Sequence, residues 1–154
     1  MTPRISFEAR EGGIVLLDSN CLIYLVEGPE RRGAAVRRFM DAAREAGARF
    51  SVSAIAWTEL LDGAIRRKNQ ALATRYRGLL ADSSFAVIEP VDVAVAEEAA
   101  RIKASCGLGL SDCFHLGTAL VIRADAILTN DEAWRSVEGL PPILIVDELA
   151  FGQD

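Results

Sequence analysis

Apolar residues along this chain fall into two kinds of run. Short unbroken stretches occur at Ile14–Leu17 (Ile-Val-Leu-Leu), at 49–52, in FAVIEP, at 125–129 and in the Ile-Leu-Ile-Val that follows Pro141 and Pro142. Their composition is that of buried strands. Between them lie longer segments in which apolar positions return every third or fourth residue. In 30–46, Val36, Phe39, Met40 and Ala43 stand at i, i+3, i+4 and i+7, which predicts an amphipathic helix with arginines on its outer face, ended by Gly47. SNCLIYLV predicts a short helix directly after the first strand. Ser53 is the expected N-cap of a third helix, where Trp57, Leu60, Leu61, Ala64 and Ile65 repeat the spacing as far as about Lys68. A fourth helix is expected over roughly 69–81 and a fifth over VDVAVAEEAARIKAS, closed by the turn CGLGL. Ser111 is the expected cap of a sixth, running to Arg123 with Cys113, Leu116, Gly117, Leu120 and Val121 on its buried stripe, and a short helix follows near 131–137. The chain is expected to end a few residues past the last strand. Strands that alternate with helices in this way imply an α/β fold with a mostly parallel sheet covered on both faces.

With 154 residues, 51% of them apolar, the chain has the size and core of one domain, read as 14–154. Residues 1–13 read as an extension, either flexible or an added edge strand. Cys21, Cys106 and Cys113 are odd in number and contain no CxxC pair, which argues against a disulfide framework or a thiolate zinc site. Arg4, Glu8, Arg10 and Glu11 interrupt the N-terminus where a signal peptide would be apolar, and no window is long enough for a membrane span. The expectation is a reduced, cytoplasmic protein. The net charge of −5 is unevenly spread: residues 31–77 hold eleven basic against four acidic residues, whereas 78–154 hold four against thirteen. A basic segment folded beside acidic ones suits an enzyme that attracts phosphate while its carboxylates bind a cation, although solvated helix faces would give the same statistics.

Ligands of open parallel sheets bind at the carboxyl ends of strands. Two acids stand there: Asp18 directly follows the first strand, and Asp131 follows the strand ending at Thr129. Asp112 opens a helix after the glycine-containing turn. Glu59 lies roughly 200° around its helix from Trp57, off that residue's buried face. Each has a plainer reading. Asp18 could only cap a helix, Asp112 could only favour a helix dipole, Thr129-x-x-Glu132 could be a capping box around Asp131, and Glu59 could be a surface residue. Converging carboxylates, however, would repel unless a cation neutralised them, and oxygen donors with one histidine in the chain favour Mg²⁺ or Mn²⁺ over zinc. Such ions polarise a phosphoryl oxygen, acidify a bound water and stabilise a leaving oxygen, which points to phosphodiester hydrolysis.

The segments LLDSNCLIYL, SAIAWTELLDGA, LSDCFHLGTAL and ILTNDEAW, in this order and at these intervals, resemble the PIN-domain nucleases, with the nearest likeness to VapC-type toxins of bacterial toxin–antitoxin pairs. The resemblance runs from about Ile14 to the final strand. It implies a three-layer α/β/α sandwich with a roughly five-stranded sheet, and it places the family's acidic site on Asp18, Glu59, Asp112 and Asp131, all as metal ligands. Ser19 and Asn20 match the residues that follow the first aspartate, and Asn20 is expected to hydrogen-bond a ligating carboxylate. Thr129 matches a hydroxyl two residues before the last aspartate, and Trp134 the aromatic after it. His115, one turn after Asp112, matches a common histidine and reads as a packed residue that could steady the site. The resemblance further implies an RNA substrate, a homodimer, and an antitoxin that blocks the site. Arg31, Arg32, Arg37, Arg38, Arg66, Arg67 and Lys68 become candidates for guiding RNA or gripping acidic antitoxin residues.

Three other readings compete. A haloacid-dehalogenase-type phosphatase needs a second aspartate where this chain has Asn20. A receiver domain needs a lysine after its last strand, and the only lysines are Lys68 and Lys103. The remaining rival is a catalytically silent PIN-like module that binds RNA or a protein partner through the same surface.

Overall fold

The computed structural model describes residues 8–152. β1 (Ile14–Leu17) leads into α1 (Ser19–Glu27) and α2 (Glu30–Glu45); β2 (Arg49–Ser53) into α3 (Ala54–Arg66) and α4 (Gln70–Ala81); β3 (Val87–Glu89) into α5 (Val93–Ser105) and α6 (Leu110–Val121). β4 (Ala126–Thr129) is followed by a 3-10 turn (Glu132–Ser136), β5 (Ile143–Ile145) and α7 (Val146–Phe151). The five strands form one sheet in the order β3-β2-β1-β4-β5, every neighbouring pair parallel.

The period of two in a strand divides the core. Val15 and Leu17 point into a cluster with Leu22, Val36, Phe39, Leu60 and Tyr76, from α1 to α4, whereas Leu16 points to the opposite face and packs with Ala99, Leu116, Ile127 and Trp134. The result is the expected α/β/α sandwich. β1 and β4 are buried throughout apart from Ile14, which explains why both read as continuous apolar runs.

Several local expectations need correction. α6 is capped by Gly109 with no side-chain bond, so Ser111 lies inside the helix, free to reach another element. Val121 is exposed, and so is Ile65 in α3, because each sits where its helix is ending and has turned away from the sheet. Val146 does not extend the last strand; it starts α7, and its side chain is buried in the larger cluster. Of the expected extension, residues 1–7 lie outside the described residues. Residues 8–13 make a turn, not a strand, fastened by Gly12 N–H to Gly47 C=O at 3.0 Å and by an ion pair of 2.7 Å from Arg10 to Asp125.

α5 and α6 pack at close range. A Cβ on Gly117 would stand 2.9 Å from the Val95 carbonyl oxygen and 3.0 Å from Ala99 N, so only glycine lets the two backbones approach this far. That contact holds α6, and with it Asp112, at a fixed depth above the sheet. Among the described residues no helix is long and apolar enough to cross a membrane.

Candidate active site

The sheet order reverses at β1: the chain proceeds outward through β2 and β3, then returns to β1's other side with β4 and β5. The crevice at such a reversal, beyond the carboxyl ends of the strands, is where this class of sheet binds ligands. Asp18 leaves β1 there and Asp131 follows β4 there.

Asp18 is 6% exposed. As N-cap of α1 its Oδ1 accepts from Ser19 N at 2.7 Å, and its Oδ2 accepts from Thr129 Oγ1, also at 2.7 Å. Thr129 Oγ1 in turn accepts from Asp131 N at 3.0 Å. One buried hydroxyl thus joins the ends of two central strands and carries both aspartates. No capping box forms at Thr129; Asp131 is itself the N-cap of the 3-10 turn, accepting from Ala133 N at 3.0 Å.

Glu59 reaches the site from α3, its side chain 36% exposed. Oε1 meets His115 Nε2 at 2.6 Å and Oε2 accepts from Ser111 Oγ at 2.9 Å. His115 is fully buried, stacked at a tilt of 33° on Trp134 with ring centroids 5.9 Å apart, and its Nε2 is also 3.8 Å from Asp18 Oδ1. Its Nδ1 and the Trp134 indole nitrogen are buried without a hydrogen-bond partner among the described residues. Asp112 carries no side-chain hydrogen bond within this set and faces Asp18, Asp131 and Glu59 through space.

The charges respond to one another. Burial pushes the Asp18 carboxyl above its ordinary value, outweighing His115 and the Thr129 hydroxyl, which act the other way. Asp112 is raised by burial and then by the charges of Asp18 and Asp131. Burial would also raise Glu59, but the hydrogen bond and charge of His115, with the Ser111 hydroxyl, hold it below the usual range. Burial lowers His115, yet Glu59, Asp18 and Asp112 together lift it above 6.5.

A pH dependence follows. Asp18 and Asp112 bind protons more tightly folded than unfolded, so their ionisation costs stability as pH rises above 3.8 through their raised folded values. His115, also raised, stabilises below 6.5 and loses that contribution as pH rises through its folded value. The three act in the same direction. In metal-free buffer the melting temperature is expected to be higher near pH 5.5 than near pH 8; a flat or rising profile over that window, read by calorimetry, would contradict these environments.

The structure therefore brings Asp18, Glu59, Asp112 and Asp131 to one edge, with Thr129 and His115 between them. Among the described residues Asn20 bonds no carboxylate; its amide oxygen accepts from the Cys21 thiol at 3.6 Å. Two residues carry no signal of a site role in the sequence: Ser111, which donates to Glu59, and Asn130, which donates to Tyr24 Oη at 3.0 Å and accepts from Asp147 N at 2.9 Å, tying α1, the end of β4 and α7 together at the rim. The second partner of Asn130, Asp147, belongs to the unforeseen α7. Among the described residues no three of His, Cys, Asp and Glu stand in a ready metal-holding arrangement.

The basic residues are dispersed. Arg32 pairs with Asp147 at 2.7 Å and Arg31 lies over Phe151, both against α7; Arg37 pairs with Glu30 on their own helix. Arg66 pairs with Asp62 and Arg67 with Glu27, each at 2.8 Å, whereas Arg38 and Lys68 enter no ion pair among the described residues. Much of the expected basic face is thus internally neutralised.

Solved structures of the same fold include VapBC2 from Rickettsia felis bound to a DNA fragment from its promoter, at a TM-score of 0.72 and 14% identity over 86% of this chain and 98% of that one. DNA-bound VapBC from Salmonella typhimurium gives 0.69 and 20% over 87% and 98%. VapC20 from Mycobacterium tuberculosis, a Sarcin-Ricin loop cleaving toxin, gives 0.66 and 12% over 82% and 95%. No curated protein matches the sequence significantly. Residues 15–140, most of the chain and every acid of the site, match the PIN domain: the protein belongs to the PIN domain family.

Proposed function

We propose that the protein is a metal-dependent endoribonuclease of the cytoplasm, the toxin of a toxin–antitoxin pair, with residues 14–154 as its nuclease domain. The observation that carries this reading is the convergence of carboxylates at the strand ends: Asp112 faces Asp18 and Asp131 with no hydrogen bond of its own among the described residues, and the one buried imidazole of His115 offsets only part of their charge. Such an arrangement costs free energy unless a cation offsets it. The donors suit Mg²⁺ or Mn²⁺ in their chemistry: they are hard carboxylate oxygens, and although Asp18 Oδ1 accepts from both the backbone N–H and the hydroxyl of Ser19, its Oδ2 accepts only from Thr129 and Asp131 Oδ1 only from Ala133 N, which leaves lone pairs for a cation.

Asp18, Asp112 and Asp131 would hold the ion, with Glu59 at its edge. When bound it would polarise the scissile phosphate and lower the pKa of the attacking water. The chain's own part is placement. Thr129 fixes Asp18 relative to Asp131, and the buried α1 cap keeps Asp18 from rotating away. RNA as substrate is supported by the activity stated for VapC20, and an antitoxin partner by the VapBC complexes that share the fold. Arg31, Arg32, Arg37, Arg38, Arg66, Arg67 and Lys68 are the contacts proposed for RNA or antitoxin, in a homodimer; of these, Arg38 and Lys68 enter no ion pair among the described residues.

The test is cleavage of a structured RNA with Mg²⁺ or Mn²⁺, with and without EDTA. Chelation is expected to abolish cleavage and metal to restore it. Cleavage that survives EDTA would overturn the mechanism, and RNA binding with no cleavage in either metal would favour the silent module.

A further inference from the structure

Ser111 and His115 are four residues apart on α6 and so present to the same side of that helix. That side meets Glu59. Ser111 Oγ reaches one carboxylate oxygen at 2.9 Å and His115 Nε2 the other at 2.6 Å, so a single helix holds both oxygens of a residue on α3. Left alone, a glutamate a third exposed on a helix would sample many rotamers and could swing into the acidic crevice or away from it. His115 cannot yield to it, because the ring is fully buried against Trp134. The same Nε2 stands 3.8 Å from Asp18, and Asp112 sits between the two clamping residues in sequence.

We propose that Ser111 and His115 are positioning residues that clamp Glu59, fixing its distance from Asp18 and Asp112 and setting the geometry in which the site accepts its cation. The inference rests on the nuclease reading above. Neither residue touches the scissile phosphate in this scheme; both act through Glu59. The clamp also accounts for the placement of a lone histidine in the second turn of α6, one turn beyond Asp112, where a packing role alone would be served by an apolar side chain.

The experiment uses the full chain and measures kcat, KM for RNA and the Mg²⁺ concentration giving half-maximal rate. Outer-shell partners of metal sites are commonly worth 10–100-fold, so His115→Ala is expected to lower kcat about 10–100-fold, raise the half-saturating Mg²⁺ concentration and leave KM for RNA within about twofold. Ser111→Ala should change the same quantities less. His115→Gln, whose amide N–H can meet Oε1, should recover part of the loss, and His115→Ala should add little in a Glu59→Gln background. If His115→Ala does not fold, His115→Gln and Ser111→Ala decide the matter. An activity-independent arm is the ¹⁵N-histidine NMR signal of Nε2 in the metal-free protein, expected to move on Glu59→Gln. Folded variants with unaltered kcat and Mg²⁺ dependence would overturn the clamp, as would a missing Glu59-dependent NMR change in protein that cleaves RNA. Failure of the unaltered protein to cleave any RNA would overturn the nuclease reading itself, a result the NMR arm separates from loss of the clamp.

Discussion

Asp18→Asn is expected to lower RNA cleavage by at least about 10³-fold while the metal-free protein melts at or above the temperature of the unaltered chain. The first half follows from the ion's role, since metal-ion charge stabilisation is worth several kcal/mol and each ~1.4 kcal/mol is tenfold in rate. The second half follows from the environment. Asp18 is buried, and burial penalises its charge, so a neutral isostere removes a cost already present in the folded state. The cap survives: asparagine serves as well as aspartate at this position, its oxygen still accepting from Ser19 N. Its amide nitrogen would then donate to Thr129 Oγ1, which has a lone pair left after accepting from Asp131 N. Cleavage assays and thermal melting in EDTA separate the two effects. A strongly destabilised variant would show that Asp18 is architectural.

The second large effect is expected at a residue with no polar atom in its side chain. Gly117→Val puts a branched side chain where a single Cβ already lies 2.9 Å from one backbone atom and 3.0 Å from another. Neither neighbour is a flexible side-chain end, so α5 and α6 must part. Overpacking of this kind costs on the order of 1–3 kcal/mol, occasionally more, and should lower the melting temperature by several degrees. Activity should fall as well. Asp112 and His115 ride on the same helix, and misplacement of about 1 Å at a catalytic group can cost on the order of 10²-fold. Gly117→Ala, with the smaller clash, should lie between; a Gly117→Val protein with unaltered melting and cleavage would show that the pair is not tightly set.

Much of this fold was legible from local pattern. The helices α1 to α6 and all five strands follow from apolar spacing, and Ser53 caps its helix as its type predicts, accepting from Ile55 N at 3.2 Å. Elsewhere the local signal is ambiguous. Val146 continues an apolar run and is buried, so nothing in its neighbourhood separates the last strand from the first turn of α7. Ser111 has the chemistry of a cap, but a hydroxyl also bonds a carboxylate, and only the approach of α3 decides between them.

The site divides the same way. Local sequence dictates which acids exist, that Asp18 and Asp131 follow strands, and that oxygen donors dominate, because composition and strand ends are properties of a few adjacent residues. Tertiary structure alone decided which of them meet. Thr129 bonds Asp18 across 111 positions, and Glu59 is bound by His115 across 56, contacts created by a sheet order that returns β4 to the side of β1 and by the glycine that seats α6 against α5. No periodicity encodes such distances. They arise when hydrophobic faces from remote segments bury one another, and the charges at the strand ends are carried into place by that burial.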